Sequence, residues 1–249
     1  EIGFSIHAID KLNGAHNKCG VFNIKLFVDD SLIFEQSLRR IAFNQNRYIN
    51  AYKDYLEYHK NRFHYHRSFL LPNNPLPVYD SVKNDGKVTF TDGKLHHLKY
   101  EVYDIYGNLS VVKFNVKHNP NMEKSRATIV KHKDYTTLKH NTNDTLAYEG
   151  MSIVFEDSSF YEDLTIPISS EKSSKYLSNL YSIDEKYTPV HKYFSIMIDA
   201  ENVPEEFRSK ALIVKINHNG NTKSLGGNFT NKVIKAKTRE LGKFAVTLD

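Results

Sequence analysis

The chain has 249 residues with a formal net charge of +5 and a pI near 9.0, 40% hydrophobic and a quarter charged, which is enough apolar surface for a real core. Lysines and arginines are scattered among almost as many acids, so a nucleic-acid partner, which needs a clustered basic face, is not expected. A single cysteine, Cys19, excludes an internal disulfide, and no apolar run reaches the length of a membrane span.

In chain order, Phe4, Ile6 and Ala8 alternate with Ser5, His7 and Ile9, predicting a strand that breaks at 10–14. Phe22, Ile24, Leu26 and Val28 alternate with Asn23, Lys25 and Phe27, and 32–38 returns as a hairpin partner after Asp29-Asp30-Ser31. Over 47–60 the period changes to a helical one, with Ile49, Tyr52 and Leu56 in register and Asn44 or Asn46 as the cap. Residues 63–71 look like a strand, and the three prolines Pro72, Pro75 and Pro77 force a loop. The strand at 88–90 precedes a hairpin, Leu98-Tyr100-Val102 and Val112-Phe114-Val116, turned by Asp104-Ile105-Tyr106-Gly107-Asn108. The polar stretch 119–126 reads as a linker. Beyond it strands are expected at 127–130, 145–148, 152–156, 164–168, 193–198, 211–217, 223–225, 232–237 and 244–248, with a helical turn at Pro204. Residues 169–189 show no placeable pattern.

The expected fold is all-β: two antiparallel β-sandwich domains, 1–118 and 127–249, the first immunoglobulin-like with a short helical insert near 47–60. The chain begins inside a strand pattern without an initiator Met and is expected to be a piece of a longer protein, with targeting signals outside it.

Several constellations invite chemistry. His64-Tyr65-His66 would place two imidazoles on one strand face, as a Zn²⁺ site requires, with His59, His96 or His97 as third ligand; a polar strand face is the stronger reading. His140 and Asp144 spell HxxxD in a loop-like segment, where chance spacing is favoured. Asp10 with Asn13, and Asp104 with Asn108, offer oxygen ligands for Ca²⁺, but such side chains more often hold their own turns. Cys19 lies near Lys18 and His16 without a thiol-enzyme signature. Ser169-Ser170-Glu171-Lys172 reads SxxK in the wrong context, and Gly226-Gly227 is no phosphate loop. Tyr48, Tyr52, Tyr55, Tyr58 and Tyr65 cluster around the insert, where they either pack it onto the sandwich or present rings to a sugar or a partner protein. No catalytic, metal or cofactor residue is assigned, and no enzymatic activity is expected of this chain.

The runs 3–14 (GFSIHAIDKLNG), 19–29 (CGVFNIKLFVD), 47–51 (RYINA), 103–108 (YDIYGN) and 236–246 (AKTRELGKFAV) together resemble the region downstream of the catalytic domain in lysostaphin-type (LytM-like) bacterial zinc metallopeptidases. That family carries HxxxD before HxH within one domain. Here the order is reversed and the two fall in different domains, so His64, His66, His140 and Asp144 inherit no catalytic role. The resemblance implies non-catalytic accessory modules of a peptidoglycan metallopeptidase, its catalytic domain upstream, in the periplasm or cell envelope. It also implies an upstream peptidase domain, and peptidoglycan or an envelope protein, as partners. The alternative is a glycan-binding or protein-docking module with no associated enzyme.

Overall fold

The computed structural model describes residues 1–12, 14, 16–120, 134–183, 187–217 and 219–249. The architecture is all-β, built from antiparallel sheets with few helices. The chain divides into two compact units, Glu1–Thr128 and Ile129–Asp249. The expected linker lies, from 121 on, outside the described residues, as does the expected strand at 127–130.

The first unit is organised by five strands: β1 (Asn23–Val28), β2 (Ser31–Ser37), β3 (Tyr79–Val82), β4 (Leu95–Tyr103) and β5 (Leu109–Lys117), in sheet order β5-β4-β1-β2-β3. Alternation decides its faces. Ile24, Leu26 and Val28 of β1 point the same way as Leu98, Tyr100 and Val102 of β4, and all six are buried in one core with Phe34 and Phe90. The β1–β2 hairpin turns on Asp29 (φ 47°) and Asp30 (φ 62°), a two-residue type I′ turn whose twist matches that of the strands. β4 and β5 are joined by residues 104–108, with Tyr103 opposite Leu109.

Against this sheet lie short two-stranded ladders rather than a second full sheet. Ile2–Gly3 pairs with Lys87–Val88, Ser5–His7 with Tyr65–Arg67, and Asp10–Lys11 with Lys18–Cys19. The strand expected at 63–71 is therefore only Tyr65–Arg67. The helix expected over 47–60 is three pieces: a 3₁₀ turn at Phe43–Tyr48, α1 (Ile49–Tyr52) and α2 (Tyr55–Asn61). Tyr52, Leu76 and Val78 form a satellite core with Leu38, Ile41 and Ile49, so the proline-rich loop is what packs the insert in place.

The second unit is a two-layer sandwich. One sheet orders β6 (Asp134–Leu138), β9 (Leu164–Glu171), β10 (Leu180–Ile183), β16 (Gly242–Leu248), β12 (Ala211–Ile216) and β13 (Thr222–Gly226). The other orders β7 (Asp144–Tyr148), β8 (Met151–Phe155), β11 (Phe194–Asp199), β15 (Val233–Thr238) and β14 (Asn228–Thr230). Both contribute to one core around Ile153, Ile183, Ile196, Ile213, Ile234, Phe155, Phe194 and Phe244. Burying each such side chain contributes about 1.5–3 kcal/mol. β10 occupies the unplaced stretch 169–189; its four residues are too few to announce a period. No helix among the described residues is long and apolar enough to cross a membrane.

Candidate functional site

Lys53 and Asp54 separate α1 from α2, and the reason lies in the ladder beside them. Lys53 is extended (φ −96°, ψ 156°) and bridges antiparallel to His66, while the Asp54 N–H donates to Tyr65 O at 3.0 Å. The Asp54 carboxylate then accepts from Glu57 N–H at 3.1 Å and caps α2. α2 ends at Arg62 in a left-handed conformation (φ 59°), its N–H donating to Tyr58 O in the 5→1 bond of an αL closure, and the Phe63 N–H donates to Glu57 O. Backbone pairing thus places the insert and residues 63–67 side by side.

Of the two histidines in the HxH pattern, only His66 lies in the strand. It is 2% exposed, its Nδ1 is 2.8 Å from Tyr52 Oη, and its Nε2 is 3.2 Å from Ala8 O. A carbonyl can only accept, so Nε2 carries the proton and Nδ1 accepts from the tyrosine. Tyr52 Oη in turn accepts from Gln36 Nε2 at 2.8 Å. Burial, with Lys53 beside it, pushes the His66 pKa down to about 4, and burial raises that of Tyr52. His64 precedes the strand. Its Nδ1 accepts from Lys53 Nζ at 3.2 Å, and burial followed by the Lys53 charge lowers its pKa. The two imidazoles therefore serve different partners.

The clustered tyrosines also divide. Tyr52 is core, whereas Tyr48, Tyr55, Tyr58 and Tyr65 are half-buried. Tyr55 and His59 rings lie 4.1 Å apart, Tyr58 and His64 5.1 Å, and His7, Phe63 and Tyr65 form a triangle with sides of 5.5, 5.6 and 6.0 Å. Phe63 is 44% exposed and Phe43, at the start of the 3₁₀ turn, 97%. Between α1, α2 and His64 lies a cleft of about 180 Å³ lined by Ile49, Asn50, Lys53, Tyr55, Tyr58 and His64.

The other sequence candidates have structural work. Asp104 Oδ1 accepts from the Tyr106 and Asn108 amides at 2.9 and 2.8 Å and Oδ2 from the Asn108 side chain at 2.6 Å, so the carboxylate closes its own turn. Asp10 Oδ1 accepts from Lys11 N–H, and Asn13 lies outside the described residues. The His140 imidazole pairs with Asp163 at 2.7 Å, while Asp144 accepts from Lys139 N–H, so HxxxD is split between two partners. His96 bridges Asp29 at 2.6 Å and Asp92 at 2.9 Å, and His97 Nδ1 faces Asn115. Cys19 is half-buried in the ladder opposite Asp10. Among the described residues no three of His, Cys, Asp or Glu are grouped to hold a metal ion. Lys53 was missed as a site residue. Its signal, a lysine just before an Asp-x-x-Glu capping pattern and so outside the helix, is present at 53–57.

Residues 135–249 match the Zu5-like domain family. That span takes in both sheets of the second unit. No curated protein matches the chain. The insert and its cleft thus belong to the unit outside the match, while the matched unit supplies a separate sandwich.

Proposed function

We propose that this chain is a non-catalytic binding module whose ligand face is the helical insert with residues 63–67 of the first unit. The single observation that carries the reading is a group of rings held at the surface by rigid backbone pairing: Tyr55, Tyr58, Phe63 and Tyr65, with His7, His59 and His64 between them. Half-exposed aromatic rings on a paired backbone suit recognition, since they offer large contact area at small entropic cost. The Zu5-like match over 135–249 is in keeping with a non-catalytic binding or adhesion-type module.

Service to an upstream peptidase in a bacterial envelope, with peptidoglycan as the ligand, is the finer form of the proposal. It rests on the sequence resemblance. Retention of the purified chain on insoluble peptidoglycan sacculi, weakened about tenfold by Tyr58→Ala with Phe63→Ala, is the expected result, since two such anchors supply about 1.4 kcal/mol or more. Retention unchanged in that double variant would remove this face from the proposal. Zinc-dependent release of muropeptides by the chain alone would overturn the non-catalytic reading.

A further inference from the structure

Among the described residues, the Lys53 ammonium of the insert has no carboxylate at ion-pair distance. Lys53 is half-buried, and burial lowers the pKa of its ammonium. Its side-chain hydrogen-bond partner is His64 Nδ1, and no described carboxylate lies within 4.0 Å of Nζ. The nearest acids in sequence are committed elsewhere. Asp54 caps α2 through Oδ1 and faces Arg67 at 3.9 Å through Oδ2, and Glu57 Oε2 accepts from Asn61 at 2.7 Å. Two more polar groups of the cleft, the Asn50 amide and the Tyr58 hydroxyl, make no hydrogen bond with described residues.

Taking an ammonium out of water without a carboxylate is costly, so a fold that leaves one so placed is poised to gain from an anion. The cleft is small. At about 30 Å³ per water its 180 Å³ holds roughly six waters, less than an ordinary drug-sized pocket, and so accepts one ring or one side group. Burial, then the Lys53 charge, lowers the His64 pKa, and among the residues lining the cleft the lysine or arginine charge is that of Lys53. A doubly charged phosphate is better met by an arginine fork or several cations. Ile49 and the rings of Tyr55 and Tyr58 supply apolar wall beside the polar groups.

We infer that this cleft binds a sugar ring bearing one carboxylate, with the carboxylate on Lys53 Nζ, ring hydroxyls on Asn50 and Tyr58, and the ring's C–H face against the tyrosines. The inference rests on the binding-module proposal and narrows it to one pocket and one ligand class.

The test is an amide NMR titration of the full chain with glucuronate, glucose, acetate and inorganic phosphate. Glucuronate is expected to shift the resonances of 49–64 with a Kd of about 1 mM, the other three at least about fivefold more weakly. Lys53→Met should weaken glucuronate about tenfold or more, as loss of a charged hydrogen bond does, while Lys53→Arg keeps the charge and most of the binding. Tyr58→Ala should weaken it about fivefold. Because Lys53→Met removes an uncompensated charge, its urea midpoint should equal or exceed that of the parent, which separates lost binding from lost folding. Unchanged binding in Lys53→Met, acetate as good as glucuronate, or phosphate tighter than either would overturn the inference. If glucuronate fails while sacculi retention persists, the pocket assignment falls and the binding-module proposal stands; if both fail, both fall.

Discussion

Tyr52 Oη sits 2.8 Å from both Gln36 Nε2 and His66 Nδ1, and this short chain of buried polar atoms decides the chemistry of the insert. In a sequence, His64-Tyr65-His66 suggests metal ligands because the side-chain period of a strand is two. In the fold, both ring nitrogens of His66 are engaged, so it is a neutral structural imidazole. A pH dependence follows. The folded imidazole, with a pKa of about 4 against the ordinary 6.5, binds its proton less tightly than the unfolded one, so its contribution is complete above pH 6.5 and lost as pH falls towards 4. The full span is about 3 kcal/mol. Urea unfolding followed on the first unit should show its midpoint dropping between pH 7 and pH 4.5, with most of the drop absent in His66→Gln. Tyr52→Phe should cost about 1–3 kcal/mol at pH 7, because it leaves buried partners unmatched.

At the scale of elements, hairpins were the most legible. Asp29-Asp30 and the Asp104–Asn108 turn were readable as turns because acidic and amide side chains tolerate or hold the backbone they need, and both close strands at those places. The insert was less legible. Ile49, Tyr52 and Leu56 keep helical spacing across the break, so periodicity alone runs through Lys53, where the backbone leaves the helix to pair with His66. A local cue did exist, since Asp54 caps α2 through the Glu57 amide. Asp54→Ala is therefore expected to destabilise the first unit by about 1 kcal/mol in urea unfolding and to loosen the cleft, whereas an alanine at Asn44 or Asn46, the caps expected from sequence, should cost little. Gly86 marks the other illegible element. With φ of +73° and a Cβ position 2.3 Å from Ser68 O, it lets the 84–86 turn approach the 68–69 backbone, which no pattern in the sequence announces.

For the whole molecule, each unit has its own core, and this sets how damage spreads. Phe244, fully buried among Ile153, Ile183 and Ile213, should cost about 3–5 kcal/mol on substitution by alanine. The loss should appear in the melting of the second unit, while glucuronate shifts of residues 49–64 persist. Abolition of those shifts by Phe244→Ala would contradict the independence of the two cores.

Composition and alternation by themselves determined the all-β class, the main hairpins and most strands of the second unit, because burial of one sheet face is a local pattern with a period of two. They did not determine which histidine would be buried, where the insert would break, or that Lys53 would be half-buried beside His64. Those outcomes depend on partners far apart in the chain: Ala8 and Tyr52 for His66, Tyr65 and His66 for the break at Lys53, and Arg67, which faces the neighbouring Asp54 carboxylate. Hydrogen bonds and charges are settled by what stands opposite them in space, and only the tertiary structure supplies that.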